Sequence, residues 1–120
     1  MSYSMENAST NASPSSHVQK QCYIELFIAS ASVLSDSPVG LKVKWAWKDK
    51  KTMTKELSVD HNNREAKFNA KYKITNGKFT FNTSEESWVS TSLSQSSLTL
   101  FCDGETVGSV QFDLVNYIGG

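Results

Sequence analysis

The stretch "GLKVKWAWKDKK", Gly40 to Lys51, concentrates the groups in this chain that could do chemistry. Ammonium groups recognise anions such as phosphates and carboxylates, and indoles stack on bases or fill cores. Between Gly40 and Lys78 there are eleven Lys or Arg and four Asp or Glu, a local charge of +7 in a chain whose formal net charge is zero. Such asymmetry implies one basic face rather than a uniformly basic nucleic-acid binder. Leu41, Val43, Trp45 and Trp47 alternate with Lys42, Lys44, Ala46 and Lys48, so a strand would send the two sets to opposite faces. A base-stacking platform, as in an OB-like barrel, needs aromatic and basic groups on one exposed face. This register separates them, so Trp45 and Trp47 read as core and no nucleic-acid partner is expected. Lys42, Lys44, Lys48, Lys50, Lys51 and Lys55 are the candidate anion-binding residues. Trp88, in the polar stretch 82–96, is a candidate partner or membrane anchor, or a loop side chain folded back onto the protein.

Other chemistry has weaker footing. His17 and His61 sit in a tail and in the "DHNNR" turn, and Asp60 beside His61 lacks a recognisable nucleophile. No Gly-x-Ser-x-Gly, P-loop, His-Glu-x-x-His or Cys-x-x-Cys motif occurs, so no enzyme, catalytic residue or cofactor is expected. Cys22 and Cys102 fall in strand-like runs. Without a signal-like segment near the start they read as free thiols packed as small hydrophobes in a reducing compartment. The sequons at Asn7, Asn11 and Asn82 carry no message in that setting. No segment is long and apolar enough for a transmembrane helix.

The elements that must position these groups have a period of two. Residues 1–20 are Ser/Asn-rich without apolar periodicity and read as a disordered leader, with one domain over 21–120. In "QCYIELFIASASVL", Cys22, Ile24, Leu26 and Ile28 alternate with Tyr23, Glu25 and Phe27. "TMTKELSV" puts Met53, Leu57 and Val59 on one side, and Lys55 spoils the pattern, as a bulge or an edge strand would. "EAKFNAKYKI" points Ala66, Phe68, Ala70, Tyr72 and Ile74 inward and Lys67, Asn69, Lys71 and Lys73 outward. "TNG" reads as a turn before "KFTF". "SLTLFC" and "TVGSVQFDLVNYI" follow, joined by "DGE". Short strands at this spacing predict an all-β fold, an antiparallel eight-stranded β-sandwich. An immunoglobulin-like sandwich is the alternative, with Trp45 lying between the two cysteines.

Several segments in order resemble a C2 domain. "YIELFIASASVL" looks like its opening strand and "DSPVGLKVKW" like its Asp-Pro-Tyr-Val-Lys-Val loop and strand. "FNAKYKI" is similar to its Trp-Asn-Glu-x-Phe-x-Phe strand, and "LTLFCDGETVGSVQFDLVNYI" to its last strands. The Val-Lys-Trp and "GSVQFDLVNYI" most resemble the NT-type C2 domain at the N-termini of coiled-coil and cytoskeletal adaptors. The resemblance covers about residues 21–118. It implies a non-catalytic recruitment module that holds phosphoinositide or other anionic membranes through a basic patch. Its alternative is a docking domain of a cytoskeletal or centriolar scaffold. Either would be cytoplasmic, peripheral to membrane or cytoskeleton, and part of a longer protein with coiled coil beyond. Calcium-binding relatives gather about five carboxylates in their loops. Here Asp36 stands alone, and "CDGE" offers only Asp103 and Glu105. No metal site is expected, so the membrane attachment implied is calcium-independent.

Overall fold

In the computed structural model, residues 16–118 are described. Of the leader expected over residues 1–20, residues 1–15 lie outside that range, and His17 to Lys20 already belong to the first strand. The strands are β1 (His17–Ser32), β2 (Val39–Trp47), β3 (Lys50–Met53), β4 (Leu57–Val59), β5 (Glu65–Asn82), β6 (Ser87–Val89), β7 (Gln95–Cys102) and β8 (Glu105–Asp113). Two 3₁₀ turns, Ser92–Ser94 and Leu114–Tyr117, complete the described residues, which contain no α-helix. The strands form two antiparallel sheets, one in the order β1-β5-β6 and one in the order β3-β2-β7-β8, where β4 also pairs with β2.

The sheets pack face to face because β1, β2 and β5 each have one apolar side. Along β2, Leu41, Val43, Trp45 and Trp47 are buried while Lys42, Lys44 and Ala46 are half-exposed. Trp45, Trp47, Ile74, Phe79 and Leu114 form the larger core cluster, with Cys22, Ile24, Leu26 and Tyr72 packed against it. A second cluster of Leu41, Val59 and Ala66 closes the other end, and Cys102 packs there. Burying an indole removes about 150–250 Å² from water, worth at most about 4–6 kcal/mol at ~25 cal/mol per Å². Two exposed lysines on one face repel by only about 1 kcal/mol or less. The tryptophans therefore decide which way β2 faces.

Two expectations are corrected. The turn read at Thr75-Asn76-Gly77 does not form, and β5 runs unbroken through it for 18 residues. Cys22 pairs with Gly77 and Ile24 with Ile74, so Thr75 and Asn76 together oppose Tyr23 alone. That is a β-bulge, which a small-residue turn signal fits equally well. A second bulge opposes Phe68 and Asn69 to Ala29, and Asn69 takes a left-handed φ of 48°. Gly77 is needed because the chain passes close to the core. A Cβ there would lie 2.7 Å from Ile74 Cγ2 and 3.1 Å from the Trp47 ring.

The second correction concerns "TMTKELSV". Met53 is 44% exposed and Thr54, not Met53, is buried. The Thr54 N–H donates to the Val43 carbonyl at 2.9 Å, and its hydroxyl accepts from the Val43 N–H at 2.9 Å. One threonine thus serves both polar groups of Val43 and interrupts the edge between β3 and β4. The single-residue slip moves Met53 outward and leaves Leu57 and Val59 inward.

Asp113 ties the last strand to the loop before β7. Burial opposes its charge. Hydrogen bonds from Ser90, Ser94, the Val115 N–H and Gln95 outweigh that and hold its carboxyl below the usual range. The Val115 and Gln95 contacts are 3.1 and 3.0 Å.

Two stability tests follow. Gly77→Ala should lower unfolding stability by ~1–3 kcal/mol in urea denaturation. Gly108→Ala, where a Cβ meets nothing within 4 Å, should leave it within about 0.5 kcal/mol. Asp113 has a depressed folded value, so its contribution is complete above the ordinary carboxyl value of about 3.9 and is lost as pH falls through the folded one. Asp113→Asn should lower the urea midpoint at pH 7, and the gap to the parent protein should shrink toward pH 2.

Candidate functional site

The lysines are aimed by what holds the tryptophans. Trp45 Nε1–H donates to Ser96 Oγ at 2.6 Å, and that hydroxyl donates onward to the Ala46 carbonyl at 2.8 Å. Trp47 Nε1–H donates to the Leu93 carbonyl at 3.0 Å. Trp45 lies 6.1 Å from Tyr72 and Trp47 stacks on Phe79 at 5.7 Å, ring centre to ring centre. Both indoles are thus satisfied inside, and Lys42, Lys44 and Ala46, which alternate with the buried residues of β2, must point out.

The six candidate lysines divide into two groups. Lys42 and Lys44 stand on the outer face of the five-stranded sheet, opposite Phe101 and Thr99 of β7, with Lys44 Nζ 5.7 Å from the Phe101 ring. Lys51 opposes Ala46 and shares that face. Lys48, expected beside Lys42 and Lys44, is turned away. It occupies the β2–β3 turn with φ 55°, and its ammonium sits 4.6 Å over the Trp47 ring. Lys50 opposes Trp47 on the inner side, 5.9 Å from the same ring. Lys55 lies exposed in the break between β3 and β4. Among the described residues the sole ion pair joins Lys71 to Glu25 at 3.9 Å, so none of the six is neutralised by a carboxylate.

Lys50 and Lys55 border an opening that the sequence did not disclose. Among the described residues β3 pairs only with β2, and β5 pairs along its far side only through Thr80–Asn82 with β6. Between these two edges lie adjoining cavities of about 380 and 340 Å³ that share Tyr72. Trp45, Trp47, Phe68 and Leu57 form their apolar wall. Lys50, Lys51, Lys55, Lys67 and Lys73 border them, and no carboxylate does. Lys67 and Lys73 were legible only as outward residues of one strand; which edge they guard depends on long-range pairing. The opposite opening is apolar, with Ile24 and Leu26 of β1 facing Leu98, Val110 and Phe112 across about 390 Å³.

Trp88 belongs to a short strand, not a free loop. It is half-buried and meets Phe81 edge-on at 5.1 Å. Two carboxylates, Asp103 and Asp60, are committed to main chain. Asp103 accepts from the Gly40 N–H at 2.7 Å and so ties the β7–β8 turn to β2. Asp60 accepts from the Asn63 and Asn62 N–H groups, which hold its carboxyl below the usual range. Cys22 and Cys102 are free and half-buried, and burial pushes the Cys22 thiol up against the pull of Lys20. The chain matches no protein-family model, curated protein or solved structure.

The indole anchor can be tested directly. Ser96→Ala leaves the Trp45 N–H without its acceptor in a buried site, so stability should fall by ~1–3 kcal/mol. Urea unfolding followed by tryptophan emission reads this. An unchanged midpoint would mean that the hydroxyl does not hold the indole.

Proposed function

We propose that this chain is a non-catalytic C2-like sandwich that attaches the protein carrying it to anionic, phosphoinositide-containing membranes without calcium. One observation carries the reading: Lys42, Lys44 and Lys51 share an outer sheet face, Lys48, Lys50 and Lys55 stand on the adjoining turn and edge, and none is ion-paired among the described residues. A lysine near an anionic leaflet contributes about 1 kcal/mol, so three to six give reversible attachment. A sheet face is also stiff, which spares the ordering cost that a flexible basic tail would meet on binding. The reading needs no metal, because the lysines themselves supply the attraction to an anionic surface. No helix among the described residues is long and apolar enough to cross a membrane, and peripheral attachment does not require one.

A second reading, docking within a cytoskeletal or centriolar scaffold, draws on exposed apolar side chains. Tyr23 and Phe27 of β1 and Val107 and Val110 of β8 are each more than half exposed. Such residues favour a protein partner over water.

Vesicle sedimentation separates the two. Phosphatidylcholine vesicles containing a phosphoinositide should pull down the protein, and added salt should release it. Replacing Lys42, Lys44 and Lys51 together by Ala should weaken binding by roughly a hundredfold, about 3 kcal/mol, with the urea midpoint kept. Failure to sediment with any anionic vesicle removes the membrane reading and leaves docking.

A further inference from the structure

We infer that the lysine-bordered opening between β3 and β5 receives an extended acidic peptide, which adds as a strand to the free edge of β5. Three observations converge on an occupant of that chemistry. First, β5 from Glu65 to Phe79 has a strand partner on one side only among the described residues. Its other edge presents unpaired N–H and C=O groups of the kind strand addition uses, regular from Ala70 to Ile74 between the two bulges. Second, the positions beside that edge alternate. Lys67, Lys71 and Lys73 are exposed on the outer side, while Phe68, Tyr72 and Ile74 face inward. An added strand meets the same alternation, so its outward residues stand beside lysines and its inward residues point into the cavities. Third, these cavities, about 380 and 340 Å³, have aromatic and aliphatic walls and no carboxylate on their border.

Edge lysines by themselves often serve only to discourage aggregation. That role does not require space beneath them. Here the charges stand over unfilled apolar volume, which is how a peptide groove differs from a guarded edge. Charge selects the occupant. Lys71 is already paired with Glu25 of β1, which also stands opposite Lys73 in register, whereas Lys67 and Lys73 form no ion pair among the described residues, and Lys50 and Lys55 face them from the other wall. Glutamate or aspartate at every second position, alternating with valine or isoleucine, satisfies both layers. A lipid would use the lysines and the cavity and would leave the main-chain edge unpaired, so the free edge favours a peptide. This groove is distinct from the outer-face trio Lys42, Lys44 and Lys51 except where Lys51 borders both.

The test uses the whole chain and a fluorescent synthetic peptide of alternating glutamate and valine, read by anisotropy. Binding should be saturable, and it should shift tryptophan emission because Trp45 and Trp47 wall the cavity. Lys67→Glu with Lys73→Glu should weaken it at least about tenfold, whereas Lys42→Ala with Lys44→Ala should leave it within about twofold. Methylating alternate backbone nitrogens of the peptide should abolish binding, which charge attraction alone would not predict. No saturable binding, indifference to backbone methylation, or equal loss in the two lysine pairs would each overturn the inference. So would a Lys67/Lys73 variant that loses phosphoinositide vesicles while the parent ignores the peptide, since the groove would then belong to the membrane. The vesicle experiment with Lys42, Lys44 and Lys51 is separate, so either idea can fail without the other.

Discussion

Two indole N–H groups that must find acceptors away from water govern this structure. A buried donor without a partner costs about 1–3 kcal/mol. Trp45 finds Ser96, and Trp47 finds the Leu93 carbonyl. These bonds reach from β2 to β7 and to the turn just before it, so they fix the register of the central strand pair. Once that register is set, the period of two leaves no freedom. Lys42, Lys44 and Ala46, which alternate with the buried residues, must project from the opposite face. The basic surface is thus a by-product of indole placement, and its spacing comes from pleat geometry.

Much of this was legible in the sequence where one strand suffices to decide. The alternation in Leu41–Trp47 announced buried tryptophans and outward Lys42 and Lys44, and both hold. The misfit at Lys55 announced a bulge or an edge strand, and Lys55 lies just after β3 at the edge of the five-stranded sheet, where Thr54 bonds to Val43. The errors arose where a signal has two structural meanings. "TNG" is suitable for a tight turn and for a bulge; only the long partner β1 selects the bulge. Lys48 continued the alternation on paper, but the left-handed residue that closes the hairpin sends it over Trp47. The opening beside β5 was invisible because it depends on which strands are missing from each other's edges, and no local pattern records that. Sheet membership also escaped, since β4 and β5 are consecutive yet lie in different sheets.

The electrostatics show why a chain of zero net charge can carry a basic region. Asp60, Asp103 and Asp113 accept hydrogen bonds from main-chain N–H groups at turns and at the final 3₁₀ segment. Their negative charge stabilises backbone ends and is not spent on lysines. With Lys71 and Glu25 as the sole described ion pair, the Lys/Arg-rich stretch from Gly40 to Lys78 keeps its charge facing solvent. Ammonium groups in water contribute little to folding, so fold stability rests on the aromatic core and on these capped turns.

That arrangement has a consequence for how such a surface changes over generations. Odd-numbered positions from Leu41 to Trp47 answer to packing, and the even-numbered ones between them answer to solvent. A codon change at an even position can raise, lower or reverse surface charge while the scaffold is left intact, whereas one at an odd position is exposed first to selection on folding. Surface charge and foldability are inherited on separate residues of a single nine-residue strand, so a lineage can change its surface without rebuilding its interior.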